Sequence, residues 1–120
     1  MGSLTNLGVV YYQLGRLDDA ASQFEQGLAV DDKDAQLHYL LGAVRVQQSR
    51  YDEAGESFER AAQLKPDLPE VHYGMGALYK LQGKTDDAIA AFERFLELGP
   101  AQDPRAEEEA QRELRELRGQ

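Results

Sequence analysis

The sequence predicts an all-α protein built as a solenoid of helix-turn-helix units, and three observations predict it. The first is a frame that returns every 34 residues, as Leu7-Gly8, Leu41-Gly42 and Met75-Gly76. The second is an acidic pair followed by alanine and then phenylalanine: Asp18-Asp19-Ala20 with Phe24, Asp52-Glu53-Ala54 with Phe58, and Asp86-Asp87-Ala88 with Phe92. The third is apolar residues at three- and four-residue spacing on two stretches per copy, the mark of amphipathic helices. Breaks at Gly15-Arg16, Ser49-Arg50 and Gly83 separate the two stretches.

The first copy covers residues 1–34. Its helix A carries Leu4, Leu7, Gly8 and Tyr11. Helix B opens on Asp18-Asp19, whose carboxylates suit the positive end of a helix dipole, and carries Ala20, Phe24 and Leu28. Asp34 is placed as N-cap of the next helix. The second copy, 35–68, repeats the plan with Leu37, His38, Leu41 and Gly42 on helix A and Ala54, Phe58, Ala61 and Leu64 on helix B. Pro66 closes it, because proline cannot continue a helix. The third copy, 69–102, starts on Pro69, which fits a first helical turn, and carries His72, Met75, Gly76 and Tyr79, then Ala88, Phe92, Phe95 and Leu98. Residues 103–120 do not restart the frame. Asp103-Pro104 reads as N-cap and first turn, Glu107 to Glu109 precede Arg112, Arg115 and Arg118, and Ala106, Ala110, Leu114 and Leu117 form a narrow apolar stripe. This is the pattern of a helix that caps the open end of a stack.

Composition excludes several classes of function. A formal charge of −9 opposes binding to phosphate backbones or anionic membrane surfaces. The chain has no cysteine, so disulfides and thiolate metal sites are ruled out. No run of about 18 apolar residues is present to span a membrane, and no basic-then-apolar leader precedes the first copy, which favours a cytoplasmic chain. Neither a phosphate-cradling glycine loop nor a serine with a histidine base is visible, so no enzymatic activity and no cofactor are expected. The repeated acidic pairs are helix starts rather than acid–base or cation sites. His38 and His72 hold equivalent positions in adjacent copies, too far apart for a shared metal.

The recurring positions resemble the tetratricopeptide (TPR) repeat, over residues 1–102 fully and over the tail by analogy. The resemblance implies a right-handed α-solenoid of three TPR units plus a C-terminal capping helix. Glycines Gly8, Gly42 and Gly76 would let helix A lie close to helix B, with Ala20, Ala54 and Ala88 opposite and Phe24, Phe58 and Phe92 filling the space between units. Departures are Arg45, where the other copies have Tyr11 and Tyr79, the missing proline at Asp32, and Gly27 and Gly55 inside B helices, each costing about 1 kcal/mol relative to alanine. Arg45 is expected to bury its stem and find a carboxylate. Phe95 stands where the second copy has Ala61 and is expected to meet the cap.

In such arrays the A helices line a concave groove that binds a partner segment. The groove positions implied here are Asn6, Val9, Tyr12 and Gln13; then Tyr39, Leu40, Ala43, Val46 and Gln47; then Tyr73, Ala77, Lys80 and Leu81. Only Arg45, Glu70 and Lys80 are charged on the three A helices, so the groove is expected to be neutral, aromatic and aliphatic. Cochaperone members hold chaperone C-terminal carboxylates with lysine, asparagine and arginine. The matching positions here are Thr5, Val9, Leu40, Glu70 and Gly74, which lack that clamp. Tyr12, Tyr39 and Tyr73 are open to two roles, as anchors for a partner or as braces between A helices. The implied function is a non-catalytic scaffold for an apolar or amphipathic protein segment. Two alternatives stand beside it: self-association through the uncovered apolar N-terminal end, and service as the substrate-presenting arm of a larger enzyme.

Overall fold

The structure, a computed structural model, describes residues 3–99 and 104–119, with side chains from residue 6 onward. Every element among them is α-helical: α1 (Ser3–Gln13), α2 (Leu17–Val30), α3 (Ala35–Gln47), α4 (Tyr51–Leu64), α5 (Pro69–Leu81), α6 (Thr85–Glu97) and α7 (Pro104–Arg118). The chain divides into two compact units, Met1–Pro66 with α1 to α4 and Asp67–Gln120 with α5 to α7. The heaviest packing is within the pairs α1–α2, α3–α4 and α5–α6.

Local chemistry sets the helix ends. The α1–α2 and α5–α6 turns pass through Gly15 and Gly83 at φ 79° and 75°, whereas the α3–α4 turn uses Ser49 at φ 63°. Left-handed backbone of this kind costs a residue with a Cβ roughly 1–2 kcal/mol. The B helices begin one residue before their acidic pairs, at Leu17, Tyr51 and Thr85, which leaves each pair inside the first turn. The Asp34 side chain accepts the Leu37 N–H at 3.2 Å, capping α3 as expected. Pro69 occupies the first turn of α5. Pro104 opens α7, while Asp103 lies outside the described residues.

Each pair is closed by the same contact. A Cβ added at Gly8 would lie 2.5 Å from the Phe24 ring, one at Gly42 2.7 Å from Phe58, and one at Gly76 2.8 Å from Phe92. Real Cβ atoms do not come this near, so only glycine admits the ring. The rings therefore lock helix A to helix B of their own copy, a role beyond the expected one of filling the space between units. Phe24 serves both purposes, since it also joins Leu37, Leu41 and Val44 in one core cluster. Ala20, Ala54 and Ala88 are all fully buried.

Between pairs, one seat occurs twice. On α2, Ala20, Ala21 and Phe24 receive Leu37, Leu41 and Val44 of α3. On α6, Ala88, Phe92 and Phe95 receive Ala110, Leu114 and Leu117 of α7. Both incoming helices use i, i+4, i+7, and each α7 residue lies 73 positions after its α3 counterpart. Two repeats account for 68 of these, so α7 takes the place of a following helix A after a linker five residues longer. The polar edge agrees. Arg45 of α3 meets Glu25 of α2 at 2.8 Å, and Arg118 of α7, also 73 positions on, meets Glu93 of α6. Arg45 keeps only 12% of its side chain exposed, as its buried stem predicts.

Gly27 also turns out to have a use. A Cβ there would lie 2.9 Å from Leu37 Cδ1, so its absence lets α3 approach α2. In the second seat Phe95 takes the equivalent position, 3% exposed, and faces the α7 helix that carries Ala110. Small-against-large in one seat becomes large-against-small in the other.

Candidate functional site

The faces named from the sequence lie on α1 and α3 in the first unit and on α5 in the second. In the first unit Val9, Tyr12 and Leu40 are half-buried and rest against the α2–α3 core. Tyr39 is half-buried with its ring 6.0 Å from Phe58. Ala43 and Val46 are half-buried, and Asn6, Gln13 and Gln47 are exposed. Each of these residues is uncharged. Arg45, the single charge on α3, turns from this set to Glu25 and to the Gln48 side-chain oxygen, which it meets at 3.0 Å.

The second unit treats its positions differently. Tyr73 packs edge-on against Phe92 and Phe95, at 5.6 and 5.1 Å between centroids. Its hydroxyl donates to Glu109 of α7 at 2.8 Å. Lys80 donates to Glu113 of the same helix and lies 4.0 Å from Glu116. Sequence reasoning missed these partners. A signal was present in the row of carboxylates at Glu109, Glu113 and Glu116, which recur at helical spacing on α7. Ala77 is half-buried, and Leu81 is 56% exposed. Both cations on the A helices are thus held by carboxylates of their own unit.

These contacts shift two ionisations. Burial pushes the Tyr73 hydroxyl up from 10.0 to about 12, assisted by its bond to Glu109 and the charges of Glu109 and Glu113, with Arg112 opposing. The bond to Glu113 holds the Lys80 ammonium above its usual value against a smaller effect of burial. The folded chain therefore keeps the Tyr73 proton where the unfolded chain has released it. The resulting stability is complete below about pH 10 and is lost as the pH rises toward 12. Urea midpoints measured across this window should fall, and Tyr73→Phe should flatten part of the fall. A slope unchanged by Tyr73→Phe would assign the alkaline loss to other groups.

An open depression of about 400 Å³ lies at the turn edge of the first unit, lined by Gly15, Leu17, Asp18, Gln48 and Arg50. The Gln48 amide bridges it to Asp18 at 2.7 Å. It shares no residue with the predicted groove positions. His38 is half-buried and donates through Nε2 to the Asp32 carbonyl at 2.9 Å. Among the described residues, no group of three or more His, Asp or Glu is placed to hold a metal ion. No helix there is long and apolar enough to cross a membrane.

Comparison with known proteins agrees with this architecture. The first TPR of Spaghetti (RPAP3), bound to the HSP90 peptide SRMEEVD, superposes with a TM-score of 0.87 at 22% identity, over 97% of this chain and 88% of that one. PcrH in complex with the chaperone-binding region of PopD gives 0.84 at 28% identity, over 97% and 89%. The Yersinia enterocolitica type III secretion chaperone SycD, with a peptide of the translocator YopD, gives 0.86 at 24% identity, over 96% and 89%. No curated protein matches the sequence at a significant level. Two tetratricopeptide repeat family models match, over residues 5–69 and 45–117. With its paired helices, repeated glycine–phenylalanine contacts and these matches, the chain belongs to the tetratricopeptide repeat family.

Proposed function

We propose that the chain is a non-catalytic interaction scaffold whose A-helix faces bind an apolar or amphipathic segment of a partner protein. One observation carries the reading. The two cations of the A helices are occupied by carboxylates within their own units, and the positions around them are aromatic, aliphatic or neutral polar. A surface of this kind gains by covering apolar area and offers an anionic ligand little. The relationship to PcrH, whose complex holds the chaperone-binding region of PopD, supports a protein segment as ligand. The clamp positions Thr5, Val9, Leu40, Glu70 and Gly74 supply no cation, which separates this chain from readers of chaperone C termini.

The test is a library of synthetic peptides with free or amidated C termini, probed with the unmodified chain and with Val46→Lys. Val46 is half-buried late in α3, where a lysine stem can lie along the surface and its charge suits the helix end. The expected hits carry apolar residues at helical or alternating spacing and bind Val46→Lys about tenfold more weakly or worse, a loss of about 1.4 kcal/mol. Equal binding by the variant, or binding that requires a free C-terminal carboxylate, would sink the proposal.

A further inference from the structure

The register shared by α3 and α7 also identifies the α7 residues on the ligand-binding side. Glu109, Arg112, Glu113 and Glu116 stand 73 positions after Gln36, Tyr39, Leu40 and Ala43, and the last three of these belong to the binding face proposed for α3. Contacts with α5 agree with that placement, because the residues that this row meets there are Tyr73 and Lys80, both on the proposed face. The face of the second unit therefore runs from α5 onto α7, and its α7 part is ionic where the α3 face is aromatic and aliphatic. We infer that Glu113 and Glu116 set the sign of charge this face accepts, so that the partner segment places a lysine or arginine there beside an apolar residue. The inference rests on the function proposed above and specifies its ligand.

Local charge balance carries it. Beside Tyr73 the charges of Glu109 and Arg112 oppose one another, through contrary effects on its hydroxyl. Around Lys80 there is no such balance. One ammonium faces Glu113, which it contacts, and Glu116 at 4.0 Å, which leaves one negative charge in excess. Glu116 keeps 55% of its side chain exposed, within reach of a second cation. Glu70, the other acid on α5, lies ten residues from Lys80, about 15 Å along the helix and beyond a Debye length of about 8 Å in physiological salt. Apolar surface adjoins the excess charge, since Leu81 is more than half exposed and Ala77 lies one turn before it. An apolar side chain laid on Ala77 and Leu81 thus brings its neighbours close to two carboxylates. A basic neighbour gains an ion pair, whereas an acidic one meets like charge. Without both carboxylates the Lys80 ammonium is unopposed, and the preference should reverse.

The experiment measures binding of acetylated and amidated peptides in physiological salt. The peptides carry apolar residues at helical or alternating spacing, flanked by arginine, glutamine or glutamate. The unmodified chain is expected to bind the arginine form of a peptide about fivefold more tightly than the glutamate form, the scale of one exposed ion pair. In Glu113→Gln/Glu116→Gln the order should reverse. Those substitutions lie late in α7, where loss of negative charge suits the helix dipole, so the helix should persist, with circular dichroism as the check. Glu56→Gln/Glu59→Gln makes the same change of net charge at exposed positions on α4 and should keep the arginine preference. Should the α7 variant lose helicity, Lys80→Gln supplies the opposite test, because removing the ammonium should widen the preference. Equal binding of the three flanks overturns the inference. So does an order that the α7 and Lys80 substitutions leave unchanged, or a preference that the α4 substitutions abolish equally. In each of these cases apolar peptides still bind and the scaffold reading stands. If no peptide binds, even with glutamine flanks, both fall together.

Discussion

Phe58→Ala should lower the unfolding free energy by about 3–5 kcal/mol, the range for emptying a buried aromatic site. Phe58 is 1% exposed, lies over Gly42 and supports the Tyr39 ring, so little nearby can collapse into the space. Against a typical total of about 5–15 kcal/mol, a loss of this size should be plain in a urea melt. Combining Phe58→Ala with Gly42→Ala isolates the contact between ring and helix. In the unmodified chain that substitution forces a Cβ to within 2.7 Å of the ring, an overpacking of about 1–3 kcal/mol. It is offset only by the roughly 1 kcal/mol that alanine gains over glycine inside a helix. Once the ring is gone, the same methyl enters the cavity and keeps its helix propensity. Gly42→Ala is therefore expected to destabilise the unmodified chain and to stabilise Phe58→Ala. If its effect has the same sign in both backgrounds, the ring is not what requires glycine.

Phe95→Ala should cost a similar amount, about 3–5 kcal/mol, with the loss concentrated in α7. The ring sits in the α6 seat with Ala110, Leu114 and Leu117, and Tyr73 packs edge-on against it. Hydrogen exchange should accelerate most at α7 amides, because that helix is held to α6 mainly through this cluster. The first unit already shows how the same seat can be filled with a small residue on helix B and leucine on the incoming helix, as at Gly27 and Leu37. Phe95→Ala/Ala110→Leu is therefore expected to recover part of the lost stability and slow α7 exchange again. A double variant no more stable than Phe95→Ala would show that the two seats are not interchangeable.

Much of this architecture is legible in the sequence because its determinants are local or periodic. The glycine and phenylalanine of each copy fall in one frame, and the caps at Asp34 and Pro69 are read from their immediate neighbours. Arg45 could be assigned a buried stem and a carboxylate partner because its apolar register conflicts with its charge. What the sequence conceals is which neighbour each face meets. Gly27 reads as a helix weakness of about 1 kcal/mol until Leu37 is seen against it. Tyr73 and Lys80 read as open groove positions until α7 is placed. The five additional linker residues remove the tail from the 34-residue frame, so periodicity could not align Glu109 and Glu113 with them. Of the predicted groove positions, that Lys80 alone is charged is read directly from the sequence, while the α7 carboxylates that engage Lys80 and Tyr73 are not.

The way α7 occupies its seat also bears on how long such a stack can grow. In α3, Tyr39 and Gly42 form the side that receives the phenylalanine of the paired helix. The positions 73 residues later on α7 are Arg112 and Arg115, both exposed. A further B-type helix could close on that side only by stripping water from two guanidinium groups, a penalty of several kcal/mol per ion without a partner. α7 therefore accepts the helix before it and refuses the one that would follow. The number of stacked pairs can in this way be set by the chemistry of a single terminal helix, with no change to any of the repeats beneath it.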